Sequence, residues 1–232
     1  MFSLVIPCYN EEATIELILK KTKNSFLENK IELVLVNNGS TDNTKKILTK
    51  LKKNYQHATF INLRNNLGYG GGILAGLKHC KVEIIGWTHA DLQRDPLDAV
   101  IAFKQYNSKE NKNLYVKGNR QNRPIKDQFF TFGMSVFETI LLNKIIYDVN
   151  AQPTIFSKDF YKSWENPPAD FSLDLYSYYL ALKKGLEIMK IKVEFKDRIA
   201  GESNWNKGFA SKIKFILRTL KYSLKLKFKS IK

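Results

Sequence analysis

The sequence predicts an α/β protein built on a mostly parallel central sheet, and three observations carry that expectation. Apolar runs near 2–7, 31–36, 58–63, 82–87 and 114–118 alternate with helical patterns near 12–28, 42–53, 71–80 and 96–106, the βαβ rhythm that right-handed crossovers turn into a parallel sheet. Polar clusters follow the ends of the runs, where open α/β sheets collect ligands. A length of 232 residues suits one domain with a sizeable core.

Beyond residue 123 the pattern changes. An apolar helix is expected over about 127–142, an extended stretch over Pro153 to Phe156, a second helix from Phe171 to Lys184 and an alternating strand from Ile188 to Phe195. Asn166-Pro167-Pro168 breaks the chain before Asp170 and reads as a loop. Phe209, Ile213, Ile216, Leu217, Leu220 and Leu224 recur at helical spacing, so a basic amphipathic helix is expected from about Phe209 to Leu224. The expected division is therefore a catalytic-type domain over 1–206 and a basic helix and tail over 207–232.

The most informative segment is Glu83 to Pro96, where an apolar strand ends in Thr88-His89-Ala90-Asp91-Leu92-Gln93-Arg94-Asp95. Hard divalent cations take carboxylate and amide oxygens, so Asp91 and Gln93 can face one ion from alternate positions. The plainer reading is a helix cap, for which Asp95-Pro96 is well suited. Three more motifs precede it: Pro7-Cys8-Tyr9-Asn10-Glu11, Asn37-Asn38-Gly39-Ser40-Thr41-Asp42, and Arg64-Asn65-Asn66-Leu67-Gly68-Tyr69-Gly70-Gly71-Gly72.

In this order the four motifs resemble those of family 2 glycosyltransferases, most closely the branch of dolichyl-phosphate mannose synthases and bacterial polyprenyl-phosphate sugar transferases. The resemblance runs from Phe2 to about Asn206 and implies a GT-A fold, Rossmann-like, with nucleotide-sugar contacts at Pro7, Tyr9, Asn10, Glu11, Asn38, Gly68, His89, Ala90 and Arg120. It implies a metal, Mn²⁺ or Mg²⁺, on Asp91 with Gln93 and His89. The sequence departs from the family twice. Asn37 and Asn38 stand where many members have two aspartates, and His89 stands at the first Asp of Asp-x-Asp. A neutral imidazole can coordinate Mn²⁺ or hydrogen-bond a ribose, and both readings stay open.

Lys117-Gly118-Asn119-Arg120 and Arg123 offer guanidinium groups suited to phosphate oxygens. Arg198, in a late Lys196-Asp197-Arg198-Ile199-Ala200-Gly201-Glu202-Ser203 segment, resembles the motif that closes the site; surface ion pairing is its alternative. The implied reaction is single-displacement transfer, with inversion, from a nucleotide-diphosphate donor to a lipid-linked acceptor, polyprenyl phosphate or a lipid-linked glycan. An ionised phosphate acceptor needs no protein base, whereas a sugar hydroxyl does, and Asp170 and Asp174 are then the candidates. Asp170 is equally an N-cap.

Two other classes compete. Gly70-x-Gly72-x-x-Ala75 fits a loose dinucleotide fingerprint, but it follows the third strand rather than the first, which argues against an NAD-dependent oxidoreductase. A noncatalytic nucleotide-sugar-binding scaffold is favoured by His89 and the Asn pair and opposed by Asp91 and Gln93. Cys8 and Cys80 lack metal spacing and read as reduced and structural.

The formal net charge is +16, and no acid follows Glu202. The basic helix can lie on anionic lipid or pack on the domain. No nucleic-acid module is recognisable, and none is expected as a partner. No apolar run approaches the ~20 residues of a spanning helix, and the first residues follow a strand pattern without the charged start and small-residue cleavage site expected of a signal peptide. A cytoplasmic protein, peripheral on the inner face of the plasma membrane, is expected.

Overall fold

The computed structural model describes residues 1–122, 125–194 and 209–229. Seven strands form one sheet: β1 (Phe2–Cys8), β2 (Ile31–Asn38), β3 (Ala58–Leu63), β4 (Ile84–Trp87), β5 (Leu114–Gln121), β6 (Thr154–Ser157) and β7 (Glu187–Glu194). Their order is β3-β2-β1-β4-β6-β5-β7. All neighbouring pairs are parallel except β6, which runs antiparallel to both β4 and β5. The expected parallel α/β architecture is what the chain adopts.

Among the described residues there are eight α-helices: α1 (Ile15–Glu28), α2 (Thr44–Leu51), α3 (Gly68–His79), α4 (Asp98–Ser108), α5 (Ile125–Leu142), α6 (Lys158–Lys162), α7 (Ser172–Lys183) and α8 (Phe209–Lys229). Alternation along the strands separates two cores. Leu4 and Ile6 join Ile15, Ile18 and Leu19 of α1 and Phe103 of α4 on one side. Val5, Val34 and Val36 join Ile73 and Leu77 of α3 and Leu173 of α7 on the other. Helix α1 shows how the pattern works: Ile15, Ile18, Leu19, Thr22 and Phe26 form its buried stripe.

Element boundaries shift from the expected ones for local reasons. Helix α1 starts at Ile15, after a turn closed by Thr14 N–H donating to the Glu11 carbonyl at 3.0 Å. Helix α3 starts at Gly68, so the glycines lie inside it. There they permit close approach: a Cβ on Gly70 would meet the Pro168 and Asp170 carbonyl oxygens at 2.6 and 2.7 Å, and one on Gly72 would meet Asn38 and Pro7. Helix α6 has no counterpart in the sequence reading; Ser157 caps it, its hydroxyl accepting from Phe160 N–H at 3.2 Å.

Helix α8 packs on the domain. Ser223 Oγ donates to Glu138 Oε1 of α5 at 2.6 Å, and the Arg218 guanidinium lies 5.3 Å from the Phe171 ring before α7. Among the described residues no helix is long and apolar enough to cross a membrane.

Candidate active site

Because β1, β2, β3, β4 and β5 point the same way, their C-terminal ends bring residues 9–14, 39–43, 64–67, 88–97 and 119–122 to one edge of the sheet. The antiparallel β6 begins at that edge, so residues 148–153 join them. Such an edge is where open α/β sheets bind ligands.

The first two loops are laced to each other. Asn10 Oδ1 accepts from Thr41 N–H at 2.8 Å, the Asn10 backbone N–H donates to Ser40 Oγ at 3.0 Å, Glu11 N–H donates to Thr44 Oγ1 at 2.9 Å, and Glu12 Oε2 accepts from Asn43 N–H at 2.9 Å. Asn10 holds this arrangement at φ 58°, a left-handed conformation that Asn tolerates better than most side chains. Tyr9 stays partly exposed beside Pro7. Glu11 Oε2 accepts from Thr14 Oγ1 at 2.9 Å. Asn10 and Glu11, read from the sequence as ligand contacts, thus also build the platform.

The paired asparagines are engaged from within the protein. Asn37 Nδ2 donates to Asn62 Oδ1 at 2.6 Å, and its Oδ1 accepts from Ser40 N–H at 3.1 Å. Asn38 accepts from Leu67 N–H at 3.0 Å and donates to the Gly68 carbonyl at 2.9 Å and to Asn66 Oδ1 at 3.2 Å. An aspartate could accept at these positions but could not donate. At Asn38 the amide clamps the turn into α3, and Gly68 takes the positive φ of 79° that this turn needs.

The β4 end carries the candidate ligands. Asp91 is buried, and its Oδ1 accepts from Gln93 N–H at 3.1 Å, an Asx-type turn that fixes the carboxylate. His89 is half-buried with its ring 5.3 Å from that of Tyr69. Arg94 is buried, with the charges of Arg120, Asp91 and Asp148 in reach. Among the described residues no group of three or more His, Cys, Asp or Glu is placed to hold a metal. A hard cation bound through one carboxylate and substrate phosphates needs no such cage, and Asp91, together with Gln93 and His89 near it in the chain, would hold a Mn²⁺ or Mg²⁺ here.

Behind His89 lies a buried polar network. Tyr69 Oη is hydrogen-bonded to Gln152 Nε2, which donates to Asp174 Oδ1 at 3.0 Å; the same oxygen accepts from Trp87 Nε1 at 3.2 Å. Burial raises the Asp174 carboxyl above the usual range, opposed by its bonds to Gln152, Tyr69 and Trp87. Burial, with the nearby Asp174 charge, also pushes the Tyr69 hydroxyl well up. Asp174 is therefore enclosed beneath Tyr69. Asp170 is partly exposed instead, and its Oδ1 accepts from Ser172 N–H at 2.9 Å in the turn that leads into α7, whose N-cap position falls to Phe171 rather than Asp170.

Arg120, expected from the sequence to contact phosphate, is paired within the protein to Asp148. Its Nε and one terminal nitrogen donate to Asp148 Oδ1, the former at 2.8 Å, and its backbone N–H donates to Oδ2 at 3.0 Å. Burial pushes the Asp148 carboxyl upward, but the bonds and charge of Arg120 outweigh it and the net direction is down. Buried Lys117 donates to the Asp148 and Val149 carbonyls and lies 4.5 Å from the Tyr178 ring. Burial lowers its ammonium to about 7, with Asp148 opposing. Arg123, Lys196, Asp197, Arg198 and Glu202 lie outside the described residues.

A cavity of about 60 Å³ opens beside Arg120, lined by Thr131, Ser135 and Glu138 of α5, Asn150, Leu175 and Thr219. Glu138 was not singled out by sequence reasoning, although it is the one acid in the apolar stretch Phe129–Leu142. Tyr69 and Arg94 stand in the motifs read from the sequence without a role assigned to them.

The sheet order and the strand-edge cluster define a GT-A fold of the nucleotide-diphospho-sugar transferase type. Glucosyl-3-phosphoglycerate synthase of Mycobacterium tuberculosis, solved with Mn²⁺, UDP and glucosyl-3-phosphoglycerate, superposes with a TM-score of 0.73 over 97% of this chain and 80% of that one at 17% identity. A Pyrobaculum calidifontis mannosyltransferase solved with GDP-Man and Mn²⁺ gives 0.64 over 88% and 59% at 18% identity. The chain belongs to glycosyl transferase family 2, whose model matches residues 3–146. Its curated relatives include the undecaprenyl-phosphate 4-deoxy-4-formamido-L-arabinose transferase of Proteus mirabilis, 37% identical over 97 residues, 40% of this chain and 30% of that protein. A dolichyl-phosphate beta-glucosyltransferase of Trichomonas vaginalis is 35% identical over 97 residues, 38% and 30% of the two chains. The matched stretch spans under a third of those relatives' length.

The dinucleotide fingerprint does not survive in three dimensions. Residues 168–170 occupy the space over Gly70, Leu67 that over Gly71, and Asn38 and Pro7 that over Gly72, where a pyrophosphate would have to approach.

Proposed function

We propose that this domain is an inverting glycosyltransferase that moves a sugar from a nucleotide-diphosphate donor to a lipid-linked acceptor, polyprenyl phosphate or a lipid-linked glycan of cell-surface polysaccharide synthesis. The observation that carries the reading is the fixed Asp91 carboxylate after the end of β4, on the same sheet edge as the laced 9–14 and 39–43 loops. Names of the curated relatives, which act on undecaprenyl or dolichyl phosphate, support the acceptor class.

In this reading Pro7, Tyr9, Asn10 and Glu11 lie against the nucleotide, Gly68 and Ala90 line it, and Asp91 with Gln93 and His89 holds Mn²⁺ or Mg²⁺. The metal, when bound, neutralises charge on the departing diphosphate. Arg94 adds positive potential beside Asp91. Arg120, oriented by Asp148 at the cavity wall, contributes to nucleotide-sugar binding, and Asn38 shapes the turn at Gly68. A phosphate acceptor, with a second pKa of about 6, arrives largely ionised and needs no base. For a hydroxyl acceptor the base is Asp170, since Asp174 is enclosed. Peripheral attachment to the inner face of the plasma membrane, with α8 supplying cationic charge, completes the reading.

Calorimetric titration with UDP- and GDP-sugars, with and without Mn²⁺ or Mg²⁺, tests it. Metal-dependent binding of one donor by the wild type, lost in Asp91→Ala, is the expected result, followed by transfer to polyprenyl phosphate. Donor binding that is unchanged in Asp91→Ala would remove the metal assignment.

A further inference from the structure

Helix α5 carries an apolar face that the domain does not use. Ile125, Phe129, Phe132, Val136 and Ile140 recur at spacings of four, three, four and four, which places them on one side of a helix. They are exposed, from 40% at Val136 to 75% at Ile140. The opposite side, with Ser135, Glu138 and Leu142, is buried. Just beyond the helix Ile145 is 82% exposed, next to exposed Lys144. Single exposed apolar residues are ordinary, but a continuous row of this length marks a surface with a partner.

The neighbouring helix indicates the partner's charge. α8 packs on α5 through Ser223 and Glu138, and its sequence FASKIKFILRTLKYSLKLKFK holds six lysines, one arginine and no acid. Leu217, Leu224 and Phe228 are exposed on it among Lys221 and Lys225. A second copy meeting this chain along α5 would bring two such cationic helices together, which like-charge repulsion opposes. An anionic bilayer surface offers both what the apolar row needs and what the lysines need.

We infer that the outer face of α5 inserts into the interface of an anionic phospholipid bilayer, with α8 beside it supplying the electrostatic attraction. The inference rests on the lipid-linked acceptor reading above and adds to it which helix enters the lipid. Thr131, Ser135 and Glu138, on the inward side of α5, line the cavity next to Arg120. Insertion of α5 therefore sets that cavity at the membrane surface, where a lipid-linked acceptor presents its head group.

The test is flotation of the full chain with phosphatidylcholine vesicles, with and without phosphatidylglycerol, against the Phe129→Glu/Phe132→Glu and Lys221→Ala/Lys225→Ala variants. All four positions are exposed, so unchanged thermal melting serves as the folding control. The wild type should float with the anionic vesicles only. The Phe variant should lose at least tenfold in partitioning at any salt concentration. The lysine variant should lose about fivefold per lysine at low salt, and that difference should vanish at high salt. In Phe132→Trp, brominated lipid should quench the new indole.

Flotation that persists unchanged in the Phe variant, or no flotation at all, overturns the inference. So does a stable dimer split by Phe129→Glu/Phe132→Glu, which would assign the face to a second copy. Donor titration on the same samples separates the two readings: binding to vesicles without binding of any nucleotide-sugar would defeat the proposed reaction and leave the membrane face standing.

Discussion

Tyr69 and Phe171 lie face to face, with ring centroids 4.5 Å apart and planes 9° from parallel. The stack continues to His89 on one side and to the Arg218 guanidinium on the other, so a single pile of side chains joins the β4 end, α3, the start of α7 and α8. An offset aromatic pair contributes about 0.5–1.5 kcal/mol beyond its buried area. Tyr69→Leu should therefore weaken donor affinity about tenfold, whereas Tyr69→Phe, which keeps the stack and loses the bond to Gln152, should retain most of it. Calorimetry with the donor reads the difference. Equal losses in the two variants would shift the role from the ring to the hydroxyl.

Restoring the family's carboxylate at Asn38 should harm this protein. Asn38 Nδ2 donates to the Gly68 carbonyl and to Asn66 Oδ1, and Asn38→Asp would set an acceptor against both. The expected loss is about 1–3 kcal/mol of stability, measured by urea denaturation as a lower midpoint at unchanged slope. A midpoint equal to that of the wild type would contradict the clamp.

The carboxyl of Glu138 makes stability fall with pH. Burial raises it from the ordinary 4.5 to about 7, with Ser223 opposing. Between these values the folded state holds a proton that the unfolded chain has released, so the contribution is complete below 4.5, declines as pH rises and is gone above about 7. The displacement corresponds to ~3 kcal/mol. Glu138→Gln should flatten this part of the pH–stability curve. An equal decline in wild type and variant would place the titrating group elsewhere.

Asp174 and Asp170 should separate by readout. Asp174→Leu takes the acceptor from Trp87 Nε1 and Gln152 Nε2, and buried donors left unpaired cost about 1–3 kcal/mol each, so the loss should appear in thermal melting. Asp170→Asn keeps an oxygen for Ser172 N–H and should melt like the wild type. Its kcat should fall only if the acceptor is a hydroxyl, with donor affinity unchanged. Reduced kcat in a normally folded Asp174→Asn would instead return the base to Asp174.

Much of this was legible in the sequence because each strand of the first half is a compact apolar run closed by a turn motif, as in Ser3 to Pro7 and Leu33 to Val36. The glycine run after Leu67 was legible as a motif, but nothing in it shows that residues 168–170 are what approaches Gly70. Pairing between distant residues was not legible. Nothing local shows that Gln152 reaches Asp174, that Arg120 turns to Asp148, or that Ser223 meets Glu138. Three of the four residues of β6, Thr154 to Phe156, fall in the stretch expected to be extended, but their direction is set by partners that lie 69 and 39 positions earlier in the register pairs Gly86–Ile155 and Val116–Ile155.

That antiparallel insertion also orders the assembly of the chain. β1 to β4 pair with strands made before or soon after them, so the nucleotide side can close early through local βαβ contacts. The far edge of β4 and the facing edge of β5 have no strand to receive them until Thr154–Ser157 is made. Until then both present open ladder groups of the kind that recruit foreign strands. The second half consequently joins last, through a four-residue splice, and substitutions in β6 should be felt first as aggregation during synthesis rather than as a change in chemistry.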